Sequence, residues 1–136
     1  MKTLIIFLFI TTSVILSLQG SDVAFAADQP TQHLQLPDIT SLKEAKKVFL
    51  ETTSVLESKR ELDAAELNEI HMTTYSLEKA IAYFAGYMRG DQQAEAKKMA
   101  EVVELIHLAS ETDRADEARV YLEDYSTRAS AFSEKL

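Results

Sequence analysis

Cysteine is absent from the 136 residues, and that absence removes several readings at once. There is no disulfide framework of the kind that staples many small exported domains, no C-x-x-C-H for covalent haem, and no thiol nucleophile. No cysteine follows the N-terminal apolar run, so there is no acceptor for a lipoprotein anchor. The core must hold by packing, with or without a bound group or a second copy of the chain. Glycine and proline are also scarce, at three and two residues. They form neither a glycine-rich phosphate loop nor a nucleophile elbow. Positive charge is thin as well: 14 Lys and Arg stand against 22 Asp and Glu, for a net charge of −8. No run of Lys and Arg is interleaved with aromatics, which argues against nucleic acid and anionic membrane surfaces as partners. An acidic surface suits cations or a basic protein partner, and a homodimer would supplement a small core. Its plainest effect is solubility.

What is present begins with an address. Lys2 is the only positive charge ahead of the 15-residue apolar run from Leu4 to Leu18, and A-F-A follows at Ala24 to Ala26. A basic start, a short apolar core and an A-x-A site make up a secretory signal peptide. The run is also shorter than the roughly 20 residues of a spanning helix. The expected organisation is a cleaved signal over 1–26, an extended leader over 27–40 carrying Pro30 and Pro37, and a helical domain over 41–136. The mature protein is then periplasmic or secreted, with no membrane segment left after cleavage. An uncleaved N-terminal anchor is the alternative.

The rest reads as helix. No segment alternates apolar and polar residues between turn dipeptides, so no strand is predicted. The first helix opens at the capping box S-L-K-E, Ser41 to Glu44, and ends near Ser58-Lys59-Arg60. Its stripe is Leu42, Ala45, Phe49, Thr52 and Leu56. The second opens at D-A-A-E, Asp63 to Glu66. Its stripe is Leu67, Ile70, Thr74, Leu77, Ile81, Phe84 and Met88, and Arg89-Gly90 closes it. Gly86 lies within this pattern, where it would allow a close helix contact. The third helix starts at Asp91 and buries Met99, Val102, Val103, Ile106 and Ala109. The fourth follows T-D-R-A-D-E and uses Ala118, Tyr121, Leu122, Tyr125, Ala129, Phe132 and Leu136. Met72, Met88 and Met99 read as core or margin residues, and His33 as a loop histidine. Loops of about three to six residues make sequential helices antiparallel neighbours. The expected fold is all-α, an up-down-up-down four-helix bundle, with a three-helix core and a loosely docked first helix as the fallback.

The residues that could carry chemistry cluster in E-I-H-M-T-T-Y-S-L-E, Glu69 to Glu78, and E-L-I-H-L-A-S-E, Glu104 to Glu111. At 100° per residue, Glu78 lies about 70° from the centre of the second stripe, His71 about 90° and Tyr75 about 130°. His107 lies about 110° from the third helix's apolar centre, and Glu104 further still. If the chain folds back at Gly90-Asp91, residues whose numbers sum to about 181 share a level in an antiparallel pair. Thr74 then faces His107, His71 faces Ser110, and Glu78 falls beside Val103-Glu104. The margins either converge on the groove between the two helices or diverge to opposite flanks. Two readings follow. The residues form a divalent-metal set of His71, Glu78, Glu104, His107 and Glu111. Alternatively they form a buried polar layer, with Thr74, Tyr75 and Ser110, that fixes helix register. Imidazole with carboxylate favours zinc, copper or iron over calcium. Glu104-x-x-His107 has the spacing used in di-metal bundles, but such a site needs two of these pairs and two more Glu. Non-covalent haem b between His71 or His107 and Met99 or Met88 is a further alternative.

These two stretches resemble the signature segments of a family of small, uncharacterised exported bacterial proteins. Its patterns are H-x-x-T-Y-x-L-E-x-A and E-x-V-H-x-A-S-E. The first matches from His71 to Ala80, and the second from Glu104 to Glu111 with Ile106 in place of Val. L-P-D-I-T-S-L-K-E-A is similar to that family's entry into its first helix. The resemblance spans most of the chain after the signal and implies that His71, Thr74, Tyr75, Glu78, Glu104, His107, Ser110 and Glu111 form one shared layer. It brings no established activity. The expectation is a non-enzymatic periplasmic bundle with a polar layer able to take a divalent transition metal. The alternatives are a haem or di-metal redox bundle and a chaperone-like envelope-stress interaction module.

Overall fold

The computed structural model describes residues 36–136. The segment read as a signal peptide, most of the expected leader and His33 lie outside the described residues. Four helices follow one another: α1 (Leu42–Glu57), α2 (Ala64–Tyr87), α3 (Gly90–Glu111) and α4 (Ala115–Ser133). Among the described residues there is no strand, and no helix is long and apolar enough to cross a membrane. Each helix packs on the next, and α4 returns to touch α1 along a slimmer contact, closing a four-helix bundle.

Local chemistry sets the helix ends. Ser41 Oγ accepts from the Glu44 amide at 3.2 Å, while the Glu44 carboxylate accepts from Thr40 N at 3.3 Å. This is a capping box displaced by one residue, and it satisfies amides that the first turn leaves open. Asp63 caps α2 through the Glu66 amide at 2.9 Å. Glu66 then reaches back over the α1–α2 loop. Its Oε2 accepts from the amides of Arg60, Glu61 and Leu62 at 3.0, 2.8 and 2.8 Å. Those amides, led by Leu62, hold the Glu66 carboxyl below its ordinary range. The α2–α3 connection is Met88 and Arg89 alone, tighter than the predicted three to six residues. It is made possible by Gly90, which opens α3 with a φ of +58°. Arg89 donates to the carbonyls of Gly86, Tyr87 and Met88 and so covers the end of α2.

The stripes meet at a shared core. Phe49 of α1, Phe84 of α2 and Phe132 of α4 form a three-ring cluster, with centroids 5.4–5.8 Å apart and steep interplanar angles. Edge-to-face pairs of this kind add about 0.5–1.5 kcal/mol each beyond area burial. Phe49, Ala45 and Leu56 are buried, so α1 is part of the core and not a loosely docked addition. Arg128 ties α4 to α3 through Glu95 at 2.9 Å. Two expectations fail. Gly86 is exposed, with open space where a Cβ would stand, so it makes no close helix contact. Met72 is 45% exposed and belongs neither to the core nor to its margin.

Candidate functional site

The α2–α3 groove gathers most of the predicted polar residues. From α2 come His71, Thr74, Tyr75 and Glu78, and from α3 come His107, Ser110 and Glu111. The two sets share spacings of three and four, so each climbs one side of its helix. The two-residue turn makes the helices antiparallel and brings the sets face to face. Thr74 and His107 meet, as the sum rule requires, with Oγ1 and Nδ1 2.8 Å apart. The margins converge. The rings of His71 and His107 stand edge to face with centroids 4.6 Å apart, and Tyr75 packs at 4.9 Å from His107 and 5.2 Å from His71. The Tyr75 hydroxyl lies 3.0 Å from His71 Nε2.

His107 is the centre of this arrangement and is 3% exposed. Its Nδ1 faces Glu78 Oε1 at 3.4 Å as well as Thr74, and its Nε2 faces Glu111 Oε2 at 3.9 Å. The Thr74 hydroxyl also lies 2.7 Å from the His71 carbonyl. A carbonyl oxygen can only accept, so the single hydroxyl proton goes there and the hydroxyl accepts from His107 Nδ1–H. This assigns the proton to Nδ1, and in the neutral ring it leaves the Nε2 lone pair directed at the Glu111 side. Glu78 and Glu111 keep part of their side chains in water, at 36% and 19% exposure, which limits the desolvation of two carboxylates beside a buried ring.

Glu104 stands apart. It is exposed on α3, and the carboxylates that reach His107 are Glu78 and Glu111. The Glu-x-x-His spacing therefore does not bring both of its members into the groove. Tyr75 and His107 are more buried than their angles predicted, at 7% and 3% exposure. The reason is that α2 packs between α1 and α3, and α3 between α2 and α4, so each helix buries an arc wider than one stripe. Among the described residues, no group of three or more His, Cys, Asp or Glu is arranged to hold a metal ion as the side chains stand. Neither hydroxyl of this layer is poised as a nucleophile: Ser110 Oγ donates to the His107 carbonyl at 2.9 Å, and Thr74 is engaged as described.

A family model matches residues 1–134 of the chain, nearly its whole length. The chain belongs to DUF6746, a family of unknown function. No curated protein and no solved structure matches it. For this DUF6746 chain the functional reading therefore rests on the geometry of the α2–α3 layer.

Proposed function

We propose that this chain is an exported, non-enzymatic helical-bundle protein whose His71–Tyr75–His107 layer fixes the register of α2 on α3. The observation that carries this reading is the buried hydrogen bond between Thr74 and His107. A one-turn slip of α3 would move His107 by about 5.4 Å and leave its Nδ1–H and the neighbouring carboxylates without these partners. Apolar contacts alone penalise such a slip far less, because Leu, Ile and Val stripes interdigitate at several offsets. The test is His107→Leu examined by NMR. The lock reading expects broadened or doubled α3 amide signals. A single sharp spectrum from a more stable protein would overturn it. Export rests on Lys2, the Leu4–Leu18 run and Ala24–Ala26. Mass spectrometry of the periplasmic or secreted fraction should find Ala27 as the first residue, whereas intact chain confined to the cytoplasm would sink that part.

A second reading is favoured by the His107 tautomer. Metal-binding histidines commonly donate one ring N–H to an oxygen and offer the other nitrogen to the ion. Here Thr74 would play the first part, and Nε2 beside Glu111 the second. His71 would join them once it releases Tyr75, while Glu78 stays with Thr74 on the Nδ1 side of the ring. Zinc or copper in excess should then raise the melting temperature, and a His71→Ala, His107→Ala double variant should lose that response. An unchanged melting temperature in the native protein would dispose of the metal reading. Haem b is less well served: Met99 lies eight residues from His107 on the same helix, about 12 Å along its axis, so the two do not form an axial pair.

A further inference from the structure

A cleft separate from the polar layer opens where the α1–α2 loop meets α4. Its volume is about 490 Å³, within the roughly 300–1,000 Å³ typical of small-molecule sites. Leu56, Leu62, Leu122 and Tyr125 give it apolar walls, while Arg60 and Arg119 stand among its lining residues. We propose that this cleft binds a monocarboxylate bearing an apolar tail, with the carboxylate on Arg60 and Arg119 and the tail against Leu56, Leu62 and Leu122.

The two arginines carry the argument for charge. In a chain of net charge −8, the other arginines, Arg114 and Arg128, pair with carboxylates, and Arg89 covers a helix end. Arg60 and Arg119 do not form such pairs among the described residues. Arg60 Nη1 donates to the carbonyls of Glu57 and Lys59, at 2.6 and 3.2 Å. Arg119 donates through Nη1 and Nη2 to the Arg60 carbonyl, at 3.2 and 3.3 Å. These contacts position the guanidiniums without neutralising them, and each fork of five donors keeps most of its hydrogens for another acceptor. A carboxylate is the geometric match for such a fork. Lys59, also at the cleft, is already engaged with Glu69.

The apolar side has its own marker. Leu62 is 3% exposed and holds a φ of +54°, a left-handed conformation that a leucine adopts only under constraint. Glu66 supplies the constraint by accepting from the Leu62 amide at 2.8 Å. Strained residues of this kind cluster at ligand sites. Two acids also line the cleft. Glu57 accepts from Ser126 Oγ at 2.7 Å, and Glu123 is exposed. Both oppose an anion, and this opposition makes the sign of the ligand testable.

The experiment is calorimetric titration of the full mature chain with octanoate, octanol and octylamine, all below micelle-forming concentrations. Octanoate should bind more tightly than octanol, and octylamine more weakly than either. Arg119→Gln and Arg60→Gln should each weaken octanoate about tenfold or more, as expected for a lost charged hydrogen bond, and leave octanol unchanged. Glu123→Gln should tighten octanoate. Circular dichroism of each variant checks the fold, and the two arginine variants stand in for each other if one is damaged. Equal affinity for octanoate and octanol, preference for octylamine, or octanoate binding indifferent to both arginine variants would overturn the proposal.

Discussion

Thr74 Oγ1 and His107 Nδ1 lie 2.8 Å apart across the α2–α3 interface, joining two buried side chains 33 residues apart in the chain. Each polar atom sits where water does not reach it freely, so each depends on the other. The hydroxyl proton is directed to the His71 carbonyl, so Thr74 accepts from His107 Nδ1–H.

Replacing Thr74 with Val keeps the shape and removes the acceptor. His107 Nδ1–H then falls back on Glu78 Oε1, at a longer 3.4 Å. The expected loss is about 1–3 kcal/mol in urea unfolding, the range for a buried polar group deprived of its partner. A cycle with His107→Leu should show that the two changes are not additive, with the double variant losing less than the sum. Additive losses would mean that the contact carries no coupling.

Phe49→Ala tests how firmly α1 belongs to the bundle. The substitution deletes a fully buried ring and both of its edge-to-face contacts, with Phe84 and Phe132. Large-to-small changes at such sites cost about 3–5 kcal/mol. A loss below about 1 kcal/mol, the level of ordinary surface changes, would instead describe a first helix docked only at its margin.

The fold was largely legible because apolar spacing and capping residues act locally. S-L-K-E and D-A-A-E mark real helix starts, and the stripe from Leu67 to Phe84 is buried throughout. The Thr74–His107 level followed from folding the chain back at Gly90. What the sequence left open was rotational. A stripe centre computed for one helix assumes one buried face, yet α2 contacts both α1 and α3. Tyr75, placed outermost by its angle, is buried for that reason. Convergence of His71 on His107, and the outward turn of Glu104, depend on how far each helix is rolled about its axis. Side-chain contacts set that roll, and periodicity does not encode it.

Glu66 gives the acid side of the stability curve a named contributor. Its carboxylate accepts from three loop amides, led by Leu62, and is held below its ordinary value of 4.5. A depressed carboxyl stabilises the fold above its unfolded value and loses that effect as pH falls through the folded one. Glu66→Gln should therefore melt lower than the native protein at pH 7. The gap should narrow as pH drops below the usual carboxylate range. A gap that stays constant with pH would show that the charge is not what holds the loop.

Tyr125 makes the complementary prediction at alkaline pH. Its side chain is fully buried, and its hydroxyl lies 2.6 Å from Thr53 Oγ1. Burial pushes the phenol far above its ordinary value of 10.0; the Thr53 hydrogen bond pulls the other way, and the Glu57 charge adds to the rise. Because the folded value is the higher one, Tyr125 is neutral in both states at pH 7, and its protonation has no bearing on stability there. Above about pH 10 the unfolded chain releases the proton while the folded protein keeps it, so stability falls with rising pH. Tyr125→Phe removes this loss together with the hydrogen bond. At pH 7 the variant should be less stable by about 1 kcal/mol. In urea titrations carried to pH 11, its stability should fall less steeply than that of the native protein, and the difference should shrink or reverse. Parallel curves for the two proteins would place the alkaline loss on other groups and sever it from this hydroxyl.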